Sequence, residues 1–583
     1  MNKYQHLFSP IKIGTVEVPN RIALLPMGVF SSRMMNNDGS YTKDGADYYI
    51  ERAKGGTGLI ITGLVPVPKG AGLPSIVNDV KSYTENMKYL ADGVHKYGSK
   101  VFVMLTAMSG RASIHPTDPA PSSMPNVWDP SKNNPEMSIE DIHQYIEWFA
   151  QGAKAAKDAG IDGVEIHAVH EGYLLDQFTI AAWNKRNDEY GGSLENRLRF
   201  PCEIVKAINK ACGEASIPEA MLNKAFEVWY PTLEEEYQEF GRDYEESEKV
   251  AKMLEEAGYD MLDCDNGSYD AWYWPHPPVY MPKACNLEDV EKVKQWVNIP
   301  VICGGRFDNP ELAEKEIAAG KIDMMGMGRP LLADPDLANK FKEGREDDIR
   351  PCISCHFGCL ARIFQVDMKT MSSKDISCAL NPRCGMENHY NITKADVIKK
   401  VAVVGGGNVA MDAARCAKRM GAEHVYIVYR RSEKEMPARL EEVHHAKEEG
   451  IEFHLLENPV QILNDGNGQV CGIECLKMEL GEPDASGRRS PIPIEGSNYV
   501  LDVDTVVMSL GTSPNPLIRS TTKGLETNRK GCLVVNEETN QTTREGVYAG
   551  GDAVTGAATV ILAMEAGKAG AKGIDEYLKG KEA

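Results

Sequence analysis

The stretch PVICGGRFDNPELAEKEIAAGKIDMMGMGRPLLADP (300–335) reads as strand, helix and strand in immediate succession. The apolar run PVICGGR (300–306) is followed by PELAEKEIAAG (310–320), a helical pattern that opens on Pro and closes on Gly, and then by MMGMGRP (324–330). Pro presets the backbone for a first helical turn, and Gly tolerates the left-handed residue that ends one. The same alternation runs back toward the N-terminus. Further strand patterns are RIALLPM (21–27), GLIITGLV (58–65), KVFVMLTA (100–107), DGVEIHAV (162–169) and MLDCDNG (261–267), with EAMLNKAF (219–226) the weakest. Between the third and fourth, Ile139, Ile142, Ile146, Phe149 and Ala153 recur at helical spacing behind Ser138, with Asp141 completing a capping-box start. YEESEKVAKMLEEAG (244–258) is another helix. Eight β/α units predict an α/β chain whose residues 1–345 form a (β/α)8 TIM barrel. An open doubly wound sheet would carry a nucleotide-binding glycine turn after its first strand, and none is present there.

A chain of 583 residues implies two or three domains. Its 42% hydrophobic and 26% charged residues are those of a globular protein. No run of eighteen apolar residues is present, and MNKYQHLFSP lacks a secretory apolar stretch, so the expectation is a cytoplasmic protein without membrane contact. A formal charge of -21 repels phosphate and argues against nucleic-acid partners.

Chemistry in such a barrel sits at the C-terminal strand ends. Leaving the fourth strand are His167, His170 and Tyr173, the tyrosine a candidate general acid and the histidines candidate donors to a developing oxyanion. After the sixth come Trp272, Tyr273, Trp274 and His276, a wall for a substrate or packing over the barrel mouth. At the seventh and eighth, Gly304, Gly305 and Gly328 allow close backbone approach, and Arg306 and Arg329 add charge. That combination suits the phosphate of a cofactor.

These residues carry a resemblance. EGYLLDQFTIAAWNKRNDEYGGSLENRLRF (171–200), with NRIALLPMG (20–28) and GMGRPLLADP (326–335), resembles the Old Yellow Enzyme family, in its longer branch of 2,4-dienoyl-CoA, bile-acid and cinnamate-type enoate reductases. The resemblance implies FMN across the barrel mouth, its ring approached by Pro26, Met27, Gly28 and Gly63. It makes Tyr173 the proton donor to the substrate α-carbon, and His170 and His276 carbonyl anchors. Two departures stand out. Met104 occupies the place of a flavin-binding glutamine on the third strand, and Lys224 is the one candidate for an arginine expected on the fifth.

Cys352-x2-Cys355-x3-Cys359, then Cys378, supplies four thiolates, with Cys384 nearby. Spacing alone suits either a [4Fe–4S] cluster or structural zinc. The resemblance of RPCISCHFGCL implies the cluster, as an electron relay between two flavins, and sets residues 346–397 apart as its segment. Residues 398–583 then form a Rossmann-like region, a 398–500 NADPH-type module and a 501–583 FAD-type half. In KKVAVVGGGNVAMDAARC, Gly405, Gly407 and Ala410 form a strand–turn–helix suited to a pyrophosphate. Arg430 and Arg431 end the next strand, where they suit the 2′-phosphate of NADPH or form a solvated basic strand end. Asp552, in GVYAGGDA (546–553), resembles a flavin-binding aspartate.

Relatives in that branch carry two glycine fingerprints, and this chain has one. The half that would hold FAD's adenosine is therefore missing. Either FAD is lost or weakly held, or the remaining unit is repurposed, or an internal deletion joined two similar segments. The implied activity is NAD(P)H-dependent reduction of an activated C=C bond in an α,β-unsaturated acid, thioester or enone. An amine dehydrogenase or demethylase and a non-catalytic electron-transfer subunit remain as alternatives. An external electron donor and self-association also stay open.

Overall fold

A computed structural model describes every residue except 1, 2, 30, 69–73, 168–171, 213–216, 220–225, 228–238, 241, 265, 268–272, 364, 368–371, 391, 392, 395, 484–486, 488, 512, 559 and 583. Only the backbone is described at 217–219, 226, 227, 239, 240, 363, 366, 367, 372, 560, 561, 581 and 582. The chain divides into two compact units, Met1–Asn391 and Ile392–Ala583. Among the described residues no helix is long and apolar enough to cross a membrane.

The first unit is the expected barrel. Its strands are β1 (Ile22–Leu24), β2 (Leu59–Ile61), β3 (Lys100–Thr106), β4 (Gly163–His167), β5 (Ile217–Glu219), β6 (Leu262–Cys264), β7 (Val301–Cys303) and β8 (Met324–Met327). Each pairs in parallel with the next, and β8 pairs with β1, so the sheet closes on itself. Helices α1 (Lys43–Lys54), α2 (Val80–His95), α3 (Ile139–Asp158), α4 (Leu194–Cys212), α5 (Tyr244–Ala257), α6 (Leu287–Trp296), α7 (Pro310–Ala318) and α8 (Leu337–Glu343) follow the strands in turn.

The helix signals act as their chemistry dictates. The Ser138 hydroxyl accepts from the Asp141 N–H at 3.0 Å and donates to its carboxylate at 2.7 Å, opening α3. Asn309 caps α7 ahead of Pro310. The fifth barrel strand is Ile217–Glu219, at the N-terminal edge of EAMLNKAF (219–226), while Phe226–Glu227 pairs antiparallel with Glu239–Phe240. Residues 220–225 of that pattern lie outside the described residues.

Strand alternation builds two apolar layers. Ala23, Leu59, Ile61, Phe102, Met104, Met261, Ile302 and Met324 form one buried cluster, joined by Ile11, Ile13 and Val18 of an N-terminal hairpin. Ile22, Leu24, Ile60, Val101, Val103 and Leu105 point the other way, toward the helices. The hairpin packs beside Ala23, Leu59 and Met261, near the strand starts, and so leaves the C-terminal mouth for chemistry. Gly163 is obligatory, because a Cβ there would lie 2.6 Å from the Phe102 ring.

The second unit has an open parallel sheet of β9 (Lys400–Val404), β10 (His424–Tyr429), β11 (Glu452–Leu455) and, after an antiparallel excursion, β12 (Thr505–Met508). Their order is β11-β10-β9-β12. The helix Asn408–Arg419 connects β9 to β10. Val401 and Val403 face one apolar cluster and Ala402 and Val404 the other, as period-two burial on both faces requires.

Candidate functional site

The mouth of the barrel opens into a cavity continuous with solvent. Its walls include Pro26, Met27 and Gly28 after β1, Met104 on β3, His167 and Tyr173 after β4, and His276 after β6. Gly304, Gly305 and Arg306 line it after β7, and Gly328 and Arg329 after β8. Residues from six strand ends, scattered over three hundred positions, therefore meet in one volume. Gly63 stands one layer back, where a Cβ would lie 2.5 Å from the Met27 carbonyl oxygen.

Tyr173 is half-buried and sits just ahead of the short helix Leu174–Thr179. Its backbone is held from both sides. The Tyr173 carbonyl accepts from Gln177 N–H at 2.9 Å, and Leu174 N–H donates to Met108 O at 3.0 Å. The Tyr173 ring lies edge-on to His167, with centroids 4.2 Å apart. His167 Nδ1 lies 3.1 Å from the hydroxyl of Thr106, a fully buried residue at the end of β3. That hydroxyl also accepts from Met108 N–H at 3.0 Å. His170, Lys224 and Trp272 lie outside the described residues. Tyr273 and Trp274 pack with Ile180 and Trp183 in a separate small cluster.

The two arginines are tied to neighbouring loops. Arg306 has a left-handed backbone (φ 52°) and donates to the carbonyls of Val279, at 2.8 Å, and Met281. Arg329 donates to Pro277 O at 2.9 Å and to His356 Nε2. Burial pulls Arg329 below the ordinary arginine range. His356 is pushed down to about 4 by burial first, then by Arg329 and His276, so it is a neutral acceptor near neutral pH. Thr106 and His356 were not singled out in the sequence. Nothing in their spacing marks them, because each acts through a contact made only in the fold.

Behind Arg329 a second, smaller cavity is lined by all four candidate ligands, Cys352, Cys355, Cys359 and Cys378. Cys352 and Cys359 also line the barrel-mouth cavity, so the two spaces share a wall. All four are free thiols. The loop coils tightly, with Ser354 and His356 at φ 52° and 57°. Burial raises the thiols of Cys352 and Cys359, the latter to about 11, so thiolates form here only against a positive counter-charge. Among the described residues no three His, Cys, Asp or Glu side chains make a ready site for a metal ion. A single zinc would draw its thiolates to within ~3.8 Å of one another, given Zn–S bonds near 2.3 Å. A four-iron cube places each thiolate on its own iron and needs no such convergence.

In the second unit Gly405 (φ 143°) turns the chain from β9 into its helix. A Cβ there would lie 2.4 Å from Ser509 O. Gly407 caps that helix and Ala410 is buried within it. Arg430 is exposed, whereas Arg431 is buried and its Nε donates to Arg489 O at 3.0 Å. Asp552 lines a different cavity with Ser513, Asn515 and Arg519.

The NADH:flavin oxidoreductase / NADH oxidase family profile matches residues 6–348, and the pyridine nucleotide-disulphide oxidoreductase profile matches residues 367–567. Cinnamate reductase of Clostridium sporogenes is 45% identical over 436 residues, covering 72% of this chain and 64% of the relative. The chain thus spans under two thirds of that relative's length. The beta subunit of NADP(+)-dependent formate dehydrogenase of Moorella thermoacetica is 45% identical over 181 residues, 31% of this chain and 25% of the subunit. Among solved structures, a 2-naphthoyl-CoA reductase complex superposes with a TM-score of 0.65 at 21% identity, covering 97% of this chain and 99% of the other, a likeness of fold. By the span of its first match, more than half its length, the chain belongs to the NADH:flavin oxidoreductase / NADH oxidase family.

Proposed function

We propose that this chain is an NAD(P)H-dependent ene-reductase acting on an α,β-unsaturated acid, thioester or enone. The observation that carries the reading is the meeting of Tyr173 and His167 in one cavity with the glycines and arginines of β7 and β8. The cinnamate reductase likeness supports it.

FMN, when held along Pro26, Met27 and Gly28 with its phosphate at Gly304, Gly305, Arg306, Gly328 and Arg329, supplies a hydride for the substrate β-carbon. Tyr173 gives the balancing proton to the α-carbon. His167, His170 and His276 hydrogen-bond the carbonyl oxygen, whose charge grows as the double bond is reduced. The fit to FMN is good at the phosphate end and poorer at the ring. Met104, which cannot donate a hydrogen bond, lines the cavity there.

Cys352, Cys355, Cys359 and Cys378 would hold a [4Fe–4S] cluster, which supplies single-electron transfer. In the second unit the turn at Gly405, Gly407 and Ala410 would take the nicotinamide nucleotide's pyrophosphate, and exposed Arg430 is better placed than Arg431 for a 2′-phosphate. FAD at Asp552 lacks its adenosine-binding half and is left out of the scheme, so an external electron donor belongs to it instead. A cytoplasmic location and the boundaries near 345 and 397 complete the reading.

The test is purification without oxygen, flavin extraction, and reduction of a cinnamate-type acid in D2O. The expected result is bound FMN and deuterium at the product α-carbon. A preparation that binds no flavin after reconstitution would sink the reductase and favour a non-catalytic electron-transfer subunit, the reading that Met104 supports.

A further inference from the structure

By sequence α1 is an ordinary barrel helix, yet it carries an arginine shut away from solvent. Arg52 is 0% exposed. Its Nη1 donates to Glu387 Oε1 at 2.9 Å and to the Tyr48 carbonyl, and its guanidinium stacks 3.7 Å from the Tyr48 ring centroid. Its Nη2 lies 3.8 Å from Cys384 Sγ. Glu387 is also buried, and it accepts from Gly385 N–H at 3.2 Å.

This arrangement is poor value as a stabilising device. Among the described residues Arg52 Nε and the second Glu387 oxygen have no hydrogen-bond partner. An incompletely satisfied buried ion pair contributes less to folding than a well-packed apolar pair of the same volume. The surface of α1 already fastens the segment in cheaper ways, through Asp44 to His389 at 2.9 Å and Glu51 to Arg383 at 3.3 Å. Arg33 adds a further tie, to Asp375 at 2.8 Å.

What the buried pair adds is a cation facing a thiol. Cys384 lies six residues beyond Cys378 and packs in the same apolar cluster as Cys359 and Cys378. It nevertheless does not share the cavity that the four other cysteines line, and its sulfur is turned to Arg52. Glu387 sits on the Nη1 side and the thiol on the Nη2 side, so the charge nearest Cys384 is positive.

We propose that Arg52 is a positioning residue for an iron–sulfur cluster on Cys352, Cys355, Cys359 and Cys378, holding Cys384 out of the ligand set and raising the cluster's reduction potential. It rests on the cluster reading given above. A fixed positive charge stabilises the form carrying the extra electron, which is the physical basis for the raised potential.

The test uses the full chain purified without oxygen, with iron and sulfide assays and an EPR-monitored redox titration. Cys384→Ala is expected to keep the wild-type iron content, and Cys378→Ala to lose it. The double variant Arg52→Met with Glu387→Met, which removes both charges and keeps an apolar fill, is expected to retain iron and titrate at a more negative potential. Arg52→Lys is expected to recover part of that shift. Iron loss in Cys384→Ala would overturn the proposal, and that arm stands even if the double variant fails to fold. A folded, iron-loaded double variant with an unshifted potential would overturn it too. Wild-type protein that takes up no iron would overturn the cluster reading and this inference together.

Discussion

The barrel unit and the C-terminal unit treat apolar surface in opposite ways. In the barrel the last strand pairs with the first, so no sheet edge remains, and both strand faces lie inside apolar clusters. In the C-terminal unit the parallel sheet ends at two edges, β11 and β12. Beside the β12 edge Met508 and Leu510 are more than half exposed, as are Leu517, Ile518 and Met564 elsewhere in that unit. A closed sheet satisfies its own backbone, whereas an open one needs further layers. The contrast matches the single glycine fingerprint of this region.

Each prediction strains one side of that contrast, beginning with the largest effect. Tyr173→Phe should lower turnover of the unsaturated substrate by ~10²–10⁴-fold while leaving nicotinamide-driven flavin reduction unchanged. Stopped-flow measurement of the two half-reactions separates them, and equal slowing of both would remove Tyr173 as the proton donor. Glu387→Ala leaves Arg52 buried and unpaired and should destabilise the barrel unit by ~3–5 kcal/mol. Calorimetry checks this, and an unchanged barrel transition would show that the pair is not needed for folding. Thr106→Val removes the hydroxyl beside His167 Nδ1 and should cost about tenfold in turnover, of the order of one net hydrogen bond. Thr106→Ser should restore it, and a serine variant as slow as the valine one would assign the effect to packing.

The C-terminal unit should respond weakly. Leu517→Ser and Ile518→Ser should change its stability by no more than ~0.5 kcal/mol, since neither side chain is buried. Dye binding to exposed apolar surface should fall, and a large stability loss would show that the face is covered in solution. Glu449 provides the mildest test. Hydrogen bonds and charge from Arg419 and Arg415 pull its carboxyl down to about 2 from 4.5. A folded-state value below the unfolded one contributes stability above about pH 4.5, and that contribution fades as pH falls toward 2. The carboxylate is partly solvated, so the gain is small and screened by salt. Glu449→Gln should flatten that acid limb slightly, and an unchanged limb would show that the pair adds nothing.

Much of the fold was legible because its signals are local. Seven of the strand patterns coincide with barrel strands, and the Ser138 and Asn309–Pro310 helix starts follow from side chains adjacent to the backbone they cap. The described part of the fifth strand, Ile217–Glu219, is placed by register against β4 and β6, which no local pattern gives. The candidate site was legible in part. Glycines and arginines at strand ends could be named from position alone, but not that Arg306 and Arg329 hold loop carbonyls and His356.

By itself the sequence determined the succession of strands and helices, the lone glycine fingerprint and the supply of thiols, because each is written in neighbouring residues. Tertiary structure alone decided which thiols share a cavity, that Thr106 sits against His167, and that Arg52 is buried on Cys384. Those contacts join residues tens to hundreds of positions apart. Their energetics depend on burial, which no local pattern encodes.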